Sequence, residues 1–168
     1  MANAITRALR HLFVGSARRL YPVDRLHRIA EAIAEGEATH QGQVCFAVES
    51  SLPLGAVLSG HDARVRALDV FARLRVWDTE SNNGVLLYLL LADHRIEIVA
   101  DRGVAAQVDD AQWREVCARM ETRLREGEPE GAALDGVAAV SALLAQHFPR
   151  TQGNARRNEL PDLPQILD

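Results

Sequence analysis

The chain has 168 residues, of which 48% are hydrophobic, 5% are aromatic and 25% are charged, and its formal net charge is −4. This length and composition predict one globular domain whose core is filled mainly by aliphatic side chains. The negative charge argues against nucleic acid or an anionic membrane as the main partner, because both attract basic proteins.

The N-terminal residues do not resemble a signal peptide, because Arg7 and Arg10 interrupt them and no long apolar stretch follows. The longest apolar run, 85–92, is far shorter than the ~20 residues that a membrane-spanning helix needs. The two cysteines, Cys45 and Cys117, lie in apolar segments and are predicted to be buried free thiols. We therefore expect a soluble, cytoplasmic protein without direct membrane insertion.

The apolar pattern of the N-terminal region predicts two helices. Residues 3–17 form the first, with Ile5, Leu9, Leu12 and Phe13 on one side. Pro22 suits the first turn of the second helix, whose apolar stripe runs from Leu26 to Ile33. We place an N-terminal helix at 1–19, the main α/β domain at 20–148 and an extended, proline-containing tail at 149–168.

Three strands are predicted in the main domain. Residues 43–49 form a strand that is apolar on both faces, so helices should cover both of them. A helix over 54–74, with a break near Gly60, leads to a second two-sided apolar strand at 85–91. A two-residue turn at Asp93-His94 then begins a third strand at 95–100.

The register of this hairpin follows from the assumed turn. A two-residue loop pairs Ala92 with Arg95, Leu90 with Glu97 and Leu86 with Asp101. Asp101 and Arg102 are then expected beside the loop that contains Asn82, Asn83 and Gly84.

Two more helices follow, one capped by Asp109 or Asp110 and one over 132–147. The order of elements predicts a three-layer α/β/α sandwich with a small mixed sheet, in which a right-handed parallel crossover precedes the β-hairpin. Leu160, Leu163 and Ile166 are the tail residues that could anchor the C-terminus on this body.

One sequence pattern resembles a known family. The string Asn83-Gly84-Val85-Leu86-Leu87, preceded by a helix with Ala67 and Phe71 and followed by a strand with Ile96, Ile98 and then Gly103, resembles the TPM domain family over roughly 20–148. The segments HQGQVCFAVES and RLRVWDTESNNGVLLYLLL are similar to a stand-alone soluble proteobacterial subgroup. The resemblance implies an α/β/α sandwich, and it implies the calcium binding and acid phosphatase activity reported for some members. Because members of this subgroup are often encoded beside a membrane-anchored TPM protein and a LemA-type membrane protein, it also implies such a partner.

The residues most suited to a ligand are the oxygen donors of one loop. Carboxylates and amide oxygens are the ligands of hard cations such as Ca²⁺ and Mg²⁺. The predicted metal-binding residues are Asp78, Glu80, Asn82, Asn83 and Asp101. The spacing is not that of an EF-hand, and the alternative is a solvated polar loop in which Asn83-Gly84 supplies the turn. No organic cofactor is predicted, because the chain has no glycine-rich nucleotide motif.

Other polar residues are interpreted structurally. Glu97 is expected on an edge strand, facing water or paired with an arginine, although a site residue is the alternative. Glu49 should lie at the opposite end of the sheet from Asp101. Cys117 and Arg123 have the C-x₅-R spacing of cysteine phosphatases, but they lie in a helical pattern that cannot form a phosphate-binding loop.

Two functions remain open at this point. In the first, the protein is an accessory module that acts with a membrane-anchored TPM or LemA-like partner, and a divalent cation orders its loop. In the second, it is a metal-dependent phosphatase with Asp78 and Asp101 as metal ligands. No catalytic residue is assigned in either case.

Overall fold

The computed structural model describes residues 2–151, 153 and 157–168. The helices are α1 (Ala2–Phe13), α2 (Ala17–Leu20), α3 (Val23–Glu37), α4 (Leu54–Leu58), α5 (Ala63–Arg73), α6 (Arg102–Ala105), α7 (Asp110–Arg125) and α8 (Pro129–His147). The strands are β1 (Gln43–Glu49), β2 (Gly84–Leu90), β3 (Arg95–Ala100) and β4 (Gln165–Ile166).

The sheet is mixed and has the strand order β3-β2-β1-β4. Strand β1 pairs in parallel with β2 and with β4, whereas β2 and β3 form an antiparallel hairpin. Alternate side chains of the buried strands point to opposite faces of the sheet, and so into two separate apolar cores. Val44, Phe46 and Val48 face the layer of α3, α7 and α8, whereas Cys45 and Ala47 face α4 and α5. The expected three-layer sandwich is therefore confirmed.

The predicted register of the hairpin is wrong by two residues. Leu90 pairs with Arg95 and Leu86 with Val99, so the connection has four residues instead of two. The cause is that Leu91 and Ala92 do not turn back towards β3, because their N–H groups donate to the carbonyls of Glu49 and Ser50 at 3.0 Å each. His94, with a φ of 48°, completes the turn.

The N-terminal helix ends earlier than expected. It stops at Phe13, and Ser16 begins the short α2 by accepting a hydrogen bond from the N–H of Arg18 on its side chain. The predicted break near Gly60 is confirmed, since this residue has a φ of 80° between α4 and α5. The last helix begins at Pro129 instead of the predicted residue 132, because proline suits the first helical turn.

The tail contributes a strand that the sequence did not predict. Two residues, Gln165 and Ile166, add β4 beside β1. Leu160 is buried in the α4–α5 core, whereas Leu163 is 46% exposed and does not anchor the tail. Within the described part of the chain, no helix has the length and hydrophobicity required to cross a bilayer.

Candidate functional site

The loop from the end of α5 to β2 is shaped by two residues in the left-handed region. Arg75 has a φ of 55° and Asn82 a φ of 51°, and asparagine tolerates this conformation better than most residues. Thr79 stabilises the turn between them: its carbonyl accepts from the N–H of Asn82 at 3.2 Å and its Oγ1 from that of Asn83 at 3.0 Å. The sequence thus folds this polar segment into a defined turn at the start of β2.

Asp101 lies beside this turn, as the sequence predicted. Its N–H donates to the carbonyl of Gly84 at 2.8 Å, and its Oδ1 accepts from the N–H of Arg102 at 2.7 Å, which caps α6. The guanidinium of Arg102 donates to Oδ1 of Asn82 at 2.9 Å. The position was correct despite the wrong register, because both registers bring the end of β3 to the beginning of β2.

Two side-chain oxygens at this corner are buried and have no hydrogen-bond partner among the described residues. They are Oδ1 of Asn83 and Oδ2 of Asp101. The amide of Asn83 points towards β1, where its Nδ2 donates to the carbonyl of Gln41, whereas Asp101 lies across β2 on the side of β3. A buried carboxylate oxygen without a partner is costly, so both atoms are suited to accept from a ligand.

The other two predicted ligands are turned towards arginines. Asp78 is exposed and lies 3.8 Å from the guanidinium of Arg75. Glu80 is also exposed, and its carboxylate forms an ion pair with Arg157 of the tail. Among the residues that the structure describes, no three His, Cys, Asp or Glu side chains are grouped as a metal site would need. The structure therefore places Asn82 beside Asp101, turns the amide of Asn83 towards β1, and leaves Asp78 and Glu80 in separate ion pairs.

A polar cavity of about 270 Å³ opens next to this corner. It is lined by Gln41, Gln43, Glu80, Ser81, Asn83, Arg150, Arg157 and Glu159. Gln43 joins the tail to β1, since its Nε2 donates to the carbonyl of Arg157 and its Oε1 accepts from the N–H of Glu159, both at 2.9 Å. Arg150, Arg157 and Glu159 were not among the predicted site residues, because a tail without hydrophobic periodicity gives no signal of where it packs.

The remaining polar candidates have structural roles. Glu97 lies on the edge strand β3 between Arg64 and Arg95, at 3.7 and 3.6 Å, and burial raises its pKa above the usual value. Glu49 ends β1 at the opposite end of the sheet from Asp101, and both of its oxygens accept from Arg66 at 2.8 Å. Both predictions are confirmed.

Cys117 is unsuited to nucleophilic catalysis. It lies within α7, and burial raises the pKa of its thiol to about 12. Cys45 is likewise a free thiol, with its pKa raised to about 12 by burial. The interpretation of Cys117 and Arg123 as parts of a helix is confirmed.

The fold and the family comparison define the class of protein together. The model of the TPM domain matches residues 23–143, and the chain belongs to this family. The search of curated protein sequences gave no significant match.

Two solved structures share the fold. The NMR structure of the BA42 protein from the psychrophilic bacterium Bizionia argentinensis has a TM-score of 0.73 and 25% identity, over 85% of this chain and 92% of that one. The N-terminal domain of a protein from P. gingivalis has a TM-score of 0.61 and 18% identity, over 89% of this chain and 94% of that domain.

Proposed function

We propose that this TPM module is an accessory domain that acts with a membrane-anchored partner and binds a divalent cation, Ca²⁺ or Mg²⁺, at the corner formed by loop 79–84 and Asp101. The observation that supports a cation is the buried Oδ2 of Asp101, which accepts no hydrogen bond from the described residues. A cation beside this oxygen would offset the cost of burying the carboxylate. Support for the partner comes from the family resemblance.

The oxygens at the corner are of the kind that a hard cation prefers. Asp101 would supply a charged oxygen, whereas Asn82 would have to release the guanidinium of Arg102 from its Oδ1, and Asn83 would have to turn its buried Oδ1 away from the side of β1. Asp78 and Glu80 would join only after leaving Arg75 and Arg157. When bound, the cation would fix the loop at the start of β2, and so present one defined surface to the partner.

The proposal is tested by calorimetric titration of Ca²⁺, and separately Mg²⁺, into the full chain after treatment with a chelator. We expect saturable binding that Asp101→Asn weakens at least roughly tenfold, because the amide has no negative charge to attract the cation. Asp78→Asn is the matched control, since it makes the same change in an exposed ion pair of the same loop, and it should bind like the wild type. Absence of binding heat, or equal weakening by both variants, would contradict the proposed site.

A metal-dependent phosphatase is the second candidate. The observation that favours it is the cavity lined by Arg150 and Arg157, because guanidinium groups bind phosphoryl oxygens. We prefer the accessory role because the amides, arginines and carboxylates lining this cavity are held in hydrogen bonds and ion pairs, and the one hydroxyl among the lining residues, that of Ser81, has no histidine beside it in this lining to act as a base. Hydrolysis of p-nitrophenyl phosphate that requires Ca²⁺ or Mg²⁺, and that both Asp101→Asn and Arg157→Met abolish, would reverse this preference.

A further inference from the structure

Helix α1 has its polar side against the protein and its apolar side in water. Four apolar residues at spacings of four, three and one follow one side of the helix. Their exposed fractions are 64% for Ile5, 49% for Leu9, 59% for Leu12 and 81% for Phe13. An amphipathic helix normally buries such a stripe against its own protein. An apolar stripe that stays exposed is suited to contact another molecule.

The polar side of α1 is held to the body by Asp93, in the turn after β2. Arg7 donates to Oδ2 of Asp93 at 2.8 Å, and Nε2 of His11 lies 3.2 Å from Oδ1 of the same carboxylate. On its other side, Nδ1 of His11 accepts from the N–H of Leu52 at 3.0 Å. These contacts fix which side of the helix faces the protein, and so they keep the apolar stripe outward.

The N-terminal segment that carries the stripe is basic, although Asp93 and Asp168 of other segments contact it. The first 20 residues carry four arginines (Arg7, Arg10, Arg18 and Arg19) and no acidic residue, although the whole chain has a net charge of −4. Arg7 and Arg10 lie 2.8 and 3.8 Å from the carboxylate of Asp93, whereas Arg18 and Arg19 are exposed and form no ion pair within the described part of the chain. Helix α4 packs beside α1 and adds the exposed side chains of Leu54 and Leu58. The chain therefore has a local basic and apolar surface that its overall charge conceals.

We infer that α1 binds the surface of an anionic phospholipid bilayer, with Ile5, Leu9, Leu12 and Phe13 entering the headgroup region and the exposed arginines contacting lipid phosphates. An exposed apolar stripe on a segment that has basic and no acidic residues of its own is typical of helices that lie in a membrane interface. Such a helix lies on the bilayer and does not span it. A second copy of the chain fits the surface less well, because a two-fold contact would bring the same arginines together.

The test is sedimentation of the full chain with phosphatidylcholine vesicles that contain phosphatidylglycerol, in the presence of a chelator so that no cation bridges protein and lipid. We expect the wild type to sediment with these vesicles and the double variant Leu9→Glu/Phe13→Glu to lose roughly tenfold or more of its partition coefficient. Both side chains are exposed, so the variant should keep the wild-type circular dichroism spectrum. Trp77→Glu is the control: this side chain is 47% exposed and precedes β2 at the end of the sheet opposite Asp93.

Three results would overturn the inference. The first is no sedimentation of the wild type with anionic vesicles. The second is equal binding to vesicles of phosphatidylcholine alone, which would exclude the role of the arginines. The third is a concentration-dependent dimer that the double variant dissociates while vesicle binding stays absent, which would assign the stripe to a second copy. None of these measurements depends on whether Asp101 binds a cation.

Discussion

Gly84 is the residue at which the candidate site and the core meet. A Cβ at this position would lie 2.0 Å from the carbonyl oxygen of Val76, which is backbone and cannot move aside cheaply. We expect Gly84→Ala to lower the free energy of unfolding by about 2–3 kcal/mol, because the strand or the preceding loop must shift. Gly55→Ala is the control, since nothing lies within 4 Å of its added Cβ in α4. Urea unfolding should show that this control is neutral or stabilised by up to about 1 kcal/mol.

His40 should make the stability depend on pH. It is fully buried, and desolvation lowers its pKa to about 4, against 6.5 in an unfolded chain, with the nearby Arg150 acting in the same direction. Below pH 6.5 His40 becomes protonated in the unfolded state but stays neutral in the folded state. The free energy of unfolding therefore decreases as the pH is lowered to about 4.

We expect His40 to account for about 2 kcal/mol of the loss between pH 7 and pH 4.5, measured by urea unfolding. The loss should be smaller by this amount in His40→Leu, where the titrating group is absent. The exposed His61 provides the control, as His61→Gln should follow the wild type at both pH values. An unchanged pH dependence in His40→Leu would show that other groups, such as His11, cause the loss.

For individual residues, the sequence could predict that Asp101 lies beside Asn82, because the order of elements in a hairpin places the end of β3 next to the start of β2. It could not predict that Glu80 pairs with Arg157 or that Gln43 binds the backbone of the tail. Both contacts join residues far apart in the chain, and no periodicity or turn preference reports such a pairing.

The elements at the other end of the sheet are joined by one buried carboxylate. Glu49 of β1 accepts two hydrogen bonds from Arg66 of α5 and one, at 2.6 Å, from the hydroxyl of Tyr88 of β2. We expect Glu49→Gln to cost about 3 kcal/mol, because it removes the buried carboxylate charge from the guanidinium of Arg66, which then keeps only the exposed Asp69 as an acidic partner. Tyr88→Phe should cost about 1 kcal/mol, since the ring stays buried. Chemical unfolding of both single variants and the double variant should give a double-variant cost below the sum of the two, and strict additivity would contradict a shared network.

The tail is expected to stabilise the fold through Leu160. This side chain is 6% exposed, so Leu160→Ala should reduce the free energy of unfolding by about 2–4 kcal/mol. Leu163→Ala makes the same change at a residue that is 46% exposed and should stay within about 0.5 kcal/mol of the wild type. Similar values for the two variants in thermal or urea unfolding would mean that the tail does not pack as the structure shows.

The long, strongly patterned elements were predictable, whereas the short ones were not. Strands β1 and β2 are apolar on both faces, and this pattern predicted correctly that helices cover both sides. Strand β4 has two residues, too few to show alternation, and it forms only because β1 offers a free edge. The predicted hairpin register was wrong for a related reason: the hydrogen bonds of Leu91 and Ala92 to the last residue of β1 and the residue after it are tertiary contacts.

The two ends of the sheet carry different surfaces. The end with Gly84 carries the polar turn, the cavity and the buried oxygens of Asn83 and Asp101. The end with Asp93 carries α1, its arginines and its exposed apolar stripe. The net charge of −4 is a sum over the whole sequence, so it does not show the basic segment at the N-terminus. For this reason the net charge alone argued against an anionic membrane.

We propose that a divalent cation orders the loop beside Asp101, and hydrogen–deuterium exchange of the full chain with and without Ca²⁺ tests this claim. We predict that Ca²⁺ slows exchange in 79–84 and 101–105 of the wild type and leaves these segments unchanged in Asp101→Asn. No Ca²⁺-dependent protection in the wild type, or equal protection in the variant, would contradict the claim.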